Sequence, residues 1–211
     1  MRRLIVAMAS AKSRKLTRSF YDGDTLSVAR ELIGKYIVYR TKRGKLVARI
    51  VEVEAYIGEE DPACHAACGP TERNRLMYGK PGVAYIYFIY GMYHCMNFVT
   101  ERNGFPAAVL LRAAEPIAGI EIMRTQGRHS AVHALLSGPG KFCRGFGLTL
   151  KQNGLDLTGT ELYLEDRCEP PSEIGVSKRI GIRQGAEKLW RFFDANSAAV
   201  SQRGRMRRRR S

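Results

Sequence analysis

Two glutamates and a tyrosine, Glu52, Glu54 and Tyr56, form the first group in this sequence that could support chemistry. A β-strand over KLVARIVEVEAY (residues 45–56) would place these three side chains on one face together with Ile50. The valines of the string would lie on the opposite face, which we expect to be core. The glutamate face is either solvated, as exposed glutamates usually are, or the wall of a pocket. In a pocket wall, such a carboxylate could act as a general base toward water.

A tyrosine-rich string, GVAYIYFIYGMYHCMNFV, follows about 25 residues later. Its two β-prone runs flank Tyr90-Gly91, so we predict two antiparallel strands joined by a tight turn. Tyr90 would lie at the exposed tip, where it has no core to fill and could act as a wedge between stacked bases. Tyr85 and Tyr87 share a strand face and could line a pocket behind the tip. Tyrosines also pack well over sheets, which is the role we expect for Tyr85.

Five strings resemble, in order and separation, the 3-methyladenine DNA glycosylase family of the alkyladenine DNA glycosylase type. The strings are VEVEAYIGEEDPACHA, RNRLMYGKPGVAYIYFIYGMYHCMN, AVLLRAAEP, SGPGKFC and RIGIRQG. The similarity runs from Ser19 to Phe193, and five ordered blocks are far more specific than any single motif. The resemblance implies an α+β fold, in which a single domain has a curved antiparallel β core, flanking helices and a protruding β-hairpin.

The resemblance also implies which residues carry the reaction. Glu54 matches the catalytic glutamate, a general base that activates water for attack on the anomeric carbon of the sugar. Arg112 matches an arginine that helps to hold this water, and Ile180 matches a residue whose backbone carbonyl contacts it. No cofactor is implied. A lysine nucleophile would be the alternative, but the nearest lysine, Lys80, lies in a GKPG turn and not in a buried site.

The implied base-binding residues are mainly aromatic. Tyr56, His65 and Tyr87 match walls that sandwich a flipped base, and Asn97 matches a residue that disfavours the exocyclic amine of guanine. Rotating a nucleotide out of a duplex costs a few kcal/mol. Stacking on an aromatic ring recovers about 1 to 3 kcal/mol per base.

Two further matches concern the duplex itself. Tyr90 matches an intercalating tyrosine that fills the hole left by the flipped nucleotide, and Met77 matches a residue packed beside that hole. A wedge and two aromatic walls together could roughly offset the cost of extrusion.

The resemblance thus implies a monofunctional DNA glycosylase that starts base excision repair. Its partner would be double-stranded DNA containing alkylated or deaminated purines, of the class of 3-methyladenine, hypoxanthine and etheno-adenine, and we expect a monomer. One alternative is a non-catalytic module that binds lesions or nucleic acid on the same fold, although binding needs neither Glu54 nor Arg112. Another is a nuclease or base-modifying enzyme, which would need a metal cluster or cofactor loop.

The cysteines offer little support for such a metal centre. Cys64, His65 and Cys68 form a C-H-x₂-C cluster, but no second pair stands at zinc-finger spacing, so we expect no metal. Five cysteines is an odd number, in a chain long enough to bury a core without disulfides. We expect free thiols in a reducing compartment.

The elements that position these residues are predicted from periodicity and turn residues. We predict helices over residues 24–33, from Pro116 to Arg124, and after Ser137. We predict strands over residues 36–40, 45–56, 83–89, 92–99 and 107–112, near Leu162, and over RIGIR (179–183).

The formal net charge of +15 is concentrated at the two ends of the chain. Residues 1–20 and 203–211 each carry six basic residues and no acid, which leaves 23 basic against 20 acidic residues elsewhere. We therefore divide the chain into a basic, disordered arm (1–19), a glycosylase domain (20–202) and an Arg-rich, disordered tail (203–211). The tail could bind phosphates without reading sequence, or be a targeting tag or a solvated end.

Localisation follows from the expected substrate. No apolar run approaches the roughly 18 residues of a membrane span, so no membrane partner is expected. The apolar stretch near the N-terminus is short for a signal peptide, and the composition of the arm is compatible with an organelle transit peptide. We expect the protein to be intracellular and to occur where DNA is found, in the cytoplasm or nucleoid of a prokaryote or in the nucleus or an organelle of a eukaryote.

Overall fold

β-Prone runs separated by glycine-containing turns build an antiparallel sheet, against which short helices pack. A computed structural model describes residues 13–127 and 131–201, which form one α+β domain as expected. The strands in these residues are β1 (Arg14–Lys15), β2 (Tyr36–Thr41), β3 (Gly44–Ile57), β4 (Ala84–Ile89), β5 (Tyr93–Val99), β6 (Ala107–Ala118), β7 (Leu162–Asp166), β8 (Ile174–Ser177) and β9 (Arg191–Asp194).

The α-helices in the described residues are short. They are α1 (Arg18–Tyr21), α2 (Thr25–Leu32), α3 (Ile120–Gly127) and α4 (Pro139–Phe146). The side chain of Asp24 caps α2 by accepting a bond from the Ser27 amide at 2.8 Å. None of these helices has the length and hydropathy that crossing a membrane requires.

The longest strand, β3, is the centre of the sheet. The strand order is β1-β7-β2-β3-β6-β5-β4, and β9 pairs with both β3 and β8. The first half of β3 pairs with β2, while its second half lies between β6 and β9. β4 and β5 form the predicted hairpin, which joins the sheet through β5.

Two complementary bulges interrupt the pairing of β3 with β6. Opposite Ala113 and Ala114, β3 carries one extra residue at Val51; β6 then carries one extra residue at Arg112. The predicted alternation is therefore wrong across the bulge, because Ile50 and Val53 both pack in the main core. Bulges beside functional sites commonly re-aim side chains. Here the shift leaves Glu52 and Glu54 on the side of β3 away from Ile50.

The predicted helix from Pro116 is wrong at its start. Pro116 lies within β6 and is opposite Ala48 of β3, next to a bulge at which β6 carries one extra residue. The helix begins only at Ile120. A bulge tolerates proline because the missing N–H is not needed in the ladder. Gly119 makes the turn between them at φ +77°, where an added Cβ would lie 2.5 Å from the Leu46 side chain.

The predicted RIGIR strand is also wrong. Residues 178–190 form an irregular segment between β8 and β9, which we call the 178–190 segment. It meets β3 through single bonds and not through a ladder: the Trp190 carbonyl accepts from the Ala55 amide, and Arg179 donates to the Ala55 carbonyl. The Arg179 guanidinium donates to both carboxylate oxygens of Asp61 at 2.5 and 2.7 Å, and the Ile180 amide donates to Glu54.

Part of the predicted basic arm is built into the sheet. Arg14 and Lys15 pair with Asp166 and Glu165 on β7, so the folded part of the chain begins before residue 20. Residues 1–12 and the predicted tail at 203–211 lie outside the described residues.

Candidate active site

A cavity of about 300 Å³ opens where the β4–β5 hairpin meets β3, β6 and the 178–190 segment. Among the nine residues predicted to form a site, all except Glu54 line it. These eight are Tyr56, His65, Met77, Tyr87, Tyr90, Asn97, Arg112 and Ile180. The structure therefore brings together residues that are up to about 125 positions apart in the chain, as one three-dimensional site would require.

Glu54 lies directly behind the wall of this cavity and is 0% exposed. Its Oε1 accepts a bond from the backbone amide of Ile180 at 2.7 Å. Its Oε2 accepts bonds from the Tyr56 hydroxyl at 2.9 Å and from Arg112 Nη1 at 3.3 Å. All three donors also line the cavity, so they connect the carboxylate to it.

The groups around Glu54 have opposite effects on its pKa. Burial raises its pKa, because a charged carboxylate loses hydration. Arg112, the Ile180 amide and the Tyr56 hydroxyl lower it, and the negative Glu52 raises it again. The net pKa is raised, which brings this carboxylate closer to the range in which a general base works near neutral pH.

The second glutamate, Glu52, is equally buried but makes different contacts. Its carboxylate accepts bonds from Arg112 Nε at 3.0 Å and from Arg191 Nε at 2.7 Å. Ser201 adds its amide at 2.6 Å and its hydroxyl at 3.0 Å. Because both glutamates are buried, the interpretation of this strand face as solvated is excluded. The sequence carried no local signal for Arg191 or Ser201, which lie some 140 residues further along the chain.

The aromatic side of the cavity is centred on His65. Its Nδ1 is 2.8 Å from the hydroxyl of Tyr85, and its ring meets that of Tyr87 edge-on, with centroids 4.5 Å apart. Burial, aided by the nearby Arg73, lowers the pKa of His65 to about 4, so the ring is neutral at physiological pH. Tyr85, expected to cover the sheet, is itself part of the cavity wall. Its position on the same strand face as Tyr87 was the signal for this.

The ring of Tyr56 is supported from behind. The guanidinium of Arg179 lies 4.7 Å from the ring centroid and is held by its two bonds to Asp61. Arg179 and Asp61 are both buried. This cation–π contact fixes the ring that lines the cavity and also donates to Glu54.

The hairpin carries the most exposed aromatic of the site. Tyr90 is 78% exposed at the tip, with φ +54°, and Gly91 follows with φ +66°. Two consecutive left-handed residues make the tight turn that the strands require. Deeper in the cavity, Met77 is buried, and the Asn97 side-chain amide donates to the carbonyl of Tyr85 at 3.0 Å.

Metal ligands are not grouped at this site. In residues 13–127 and 131–201, no three His, Cys, Asp or Glu side chains come together as a metal-binding set. Cys64 accepts a bond from the Ala66 amide, while the thiol of Cys68 donates to the carbonyl of His65.

Comparison with known proteins gives a consistent result over most of the chain. A profile of the family described as "Methylpurine-DNA glycosylase (MPG)" matches residues 19–198. A protein of Methanocella arvoryzae named "Putative 3-methyladenine DNA glycosylase" is 50% identical, covering 89% of this chain and 96% of its own. Proteins of the same name from Alkaliphilus oremlandii and Carboxydothermus hydrogenoformans are 46% and 45% identical. They cover 90% and 89% of this chain and 100% and 99% of their own.

Proposed function

This chain belongs to the methylpurine-DNA glycosylase family, and on that premise we propose that it flips damaged purines out of duplex DNA and hydrolyses their N-glycosidic bond with a water activated by Glu54. The family makes the protein a DNA glycosylase, a hydrolase of N-glycosyl bonds that acts on DNA in base excision repair. The proposed substrates are alkylated and deaminated purines, including 3-methyladenine, hypoxanthine and etheno-adenine. We propose that it acts as a monomer.

One observation carries this proposal: the buried Glu54 carboxylate is bonded by three residues that also line an aromatic cavity. The cavity, at about 300 Å³, is at the lower end of the range of about 300 to 1,000 Å³ for small-molecule sites. That size suits one base. A carboxylate beside it can take a proton from water and also stabilise the oxocarbenium-like charge that develops as the base leaves.

The base would be held between aromatic rings. In this mechanism Tyr56 and Tyr87 stack on the flipped base, and the neutral His65 adds ring contact without placing a positive charge against it. Asn97 would disfavour the exocyclic amine of guanine. Tyr90 would fill the space that the nucleotide leaves in the duplex, with Met77 beside it.

The water would be held by Glu54, Arg112 and the backbone carbonyl of Ile180. The Tyr56 hydroxyl occupies Glu54 Oε2 in the structure. We therefore infer that this hydroxyl shifts when the base enters and leaves Oε2 to the water. A cationic alkylated purine is already a good leaving group, whereas neutral hypoxanthine needs more help from the site.

The test is single-turnover release of hypoxanthine and etheno-adenine from a labelled duplex in the presence of a chelator. Glu54→Gln should lower the rate by about 10²- to 10⁴-fold, because it removes general-base help. Lesion binding should persist. Glu165→Gln is the matched control, because Glu165 is another buried glutamate paired with an arginine, on β7 and outside the cavity.

Three outcomes would contradict the proposal. Lesion binding without excision by the wild type, on cationic as well as neutral purines, would indicate a lesion-binding module. Strand cleavage without added alkali would indicate a lyase or nuclease. Equal rates for the wild type and Glu54→Gln would remove Glu54 from the mechanism.

A further inference from the structure

Glu52 is a buried carboxylate that does not line the cavity, yet it is tied to the residues that do. Its four donors come from three parts of the fold: Arg112 on β6, Arg191 on β9, and the amide and hydroxyl of Ser201 near the C-terminus. A buried carboxylate is expensive unless it is paired and hydrogen-bonded. Glu52 meets both conditions, so its geometry is well determined.

Arg112 links the two glutamates through different nitrogen atoms. Its Nε donates to Glu52 and its Nη1 donates to Glu54, while Nη2 lies 3.4 Å from the Ser201 hydroxyl. A guanidinium is planar, so a bond at Nε fixes the direction in which Nη1 points. With Nε held by Glu52, Arg112 meets Glu54 through one nitrogen at 3.3 Å and not through a two-pronged pair.

We propose that Glu52 is a positioning residue for the reaction: by holding Arg112 at Nε, it prevents this arginine from closing onto both oxygens of Glu54. The inference rests on the proposed function of Glu54. Without Glu52, Arg112 would rotate into a bidentate pair with Glu54, which is the geometry that guanidinium and carboxylate favour. That pair would occupy the oxygen that the water needs and would make the carboxylate a weaker base.

The negative charge of Glu52 has an effect on the pKa of Glu54 that can be measured. The charged and hydrogen-bonding groups that face Glu54 are Glu52 and Tyr56 on β3, Arg112 on β6, and Arg179 and the Ile180 amide in the 178–190 segment. Burial raises the pKa of Glu54 most, Arg112 lowers it, and the negative Glu52 raises it. Removing the charge of Glu52 therefore lowers the pKa of Glu54. The acid limb of the pH–rate profile should then move to lower pH.

The experiment compares Glu52→Gln with the wild type, Glu54→Gln and the control Glu165→Gln on a hypoxanthine duplex. Glu52→Gln should lower the single-turnover rate by about 10- to 100-fold, because a small misplacement of a catalytic group has an effect of that size. Lesion affinity should stay close to that of the wild type. The acid limb should move to lower pH, whereas Glu165→Gln should match the wild type in rate and in profile.

A purely structural role would give a different result. Partial unfolding of Glu52→Gln would lower the rate only in proportion to the folded fraction, and a rate per folded molecule equal to that of the wild type would overturn the proposal. A wild-type rate and profile would overturn it too. If Glu52→Gln does not fold, Glu52→Gln/Arg191→Gln removes one charge of each sign. A lower rate with retained lesion binding would then support the proposal, and an unchanged rate would overturn it.

Failure of the proposed function is distinguishable from failure of this inference. If the wild type excises the base and Glu54→Gln does not, a wild-type-like Glu52→Gln overturns only the role of Glu52. If the wild type releases no base, or Glu54→Gln is fully active, both proposals are overturned.

Discussion

At the scale of single residues, two glutamates only two positions apart have different surroundings. Glu54 accepts hydrogen bonds from three groups that line the cavity. Glu52 accepts hydrogen bonds from Arg191, Ser201 and Arg112 Nε. Environments that differ in this way commonly separate the roles of neighbouring carboxylates. In the proposed mechanism Glu54 acts on the water, while Glu52 holds the arginine that lies between the two glutamates.

Tyr56→Phe should separate the two functions of that tyrosine. The ring that lines the cavity remains, while the hydroxyl that donates to Glu54 is lost. Burial is the main cause of the raised pKa of Glu54, and the Tyr56 bond is one of the contacts that oppose it. Losing the bond should raise that pKa further, because the charged form loses a donor. The acid limb of the rate profile at subsaturating protein, which reports the free enzyme, should therefore move to higher pH, opposite to the shift expected for Glu52→Gln.

The control for this prediction is Tyr163→Phe, which removes the hydroxyl of a buried tyrosine on β7, away from the cavity. Its profile should coincide with that of the wild type. An acid limb that stays in place or moves to lower pH in Tyr56→Phe would show that the hydroxyl does not stabilise the ionised Glu54 in the free enzyme.

At the scale of elements, the sequence predicted those whose signals are local. The hairpin, β2, β3 and α2 were predicted from β-prone runs, periodicity and turn residues, and the structure confirms them. The start of α3 and the RIGIR strand were wrong for a physical reason. A register shift accommodates Pro116 in β6, and the 178–190 segment is held by bonds to Asp61 and Glu54. A local sequence pattern indicates neither the register shift nor these distant bonds.

The candidate site shows the same division. The residues that line the cavity stand in strings of recognisable type, so eight of nine were found together. The contacts of Glu52 depend on two bulges and on Ser201, where the chain returns to β3 after 149 residues. Strict alternation cannot predict a bulge, because one extra residue reverses every face beyond it.

Tyr90→Asn should have opposite effects on stability and on function. A tyrosine at φ +54° is unfavourable, whereas Asn followed by Gly is preferred in a tight hairpin turn. The free energy of unfolding should rise by about 1 kcal/mol, the usual cost of a left-handed residue with a bulky side chain. Affinity for a lesion duplex should fall roughly 5- to 150-fold, because the lost stacking is worth about 1 to 3 kcal/mol.

Chemical denaturation and titration of a labelled lesion duplex would measure these two effects. Tyr90→Phe is the control, because it keeps the ring and the strained backbone and should resemble the wild type in both measurements. Unchanged DNA affinity in Tyr90→Asn would argue against a wedge, and reduced stability would argue against strain at the tip.

At the scale of the whole molecule, the charge is distributed unevenly. Without the twelve basic residues of 1–20 and 203–211, the chain carries 23 basic and 20 acidic residues, a net charge of +3. A body of that charge attracts DNA only weakly at long range. Most of the positive charge available for phosphate contacts lies at the chain ends.

Deletion of residues 203–211 should therefore change the affinity for DNA and its salt dependence, and leave the rate of base excision unchanged. Each phosphate contact contributes about −0.9 to the slope of log affinity against log salt, so losing six arginines should reduce that slope by up to about 5. The single-turnover excision rate at saturating protein should stay nearly unchanged, because the described groups that bond Glu54 belong to Tyr56, Arg112 and Ile180. Replacing the six arginines by lysines keeps the charge and should keep the slope. A slope that is the same with and without residues 203–211 would assign the phosphate contacts to the rest of the chain.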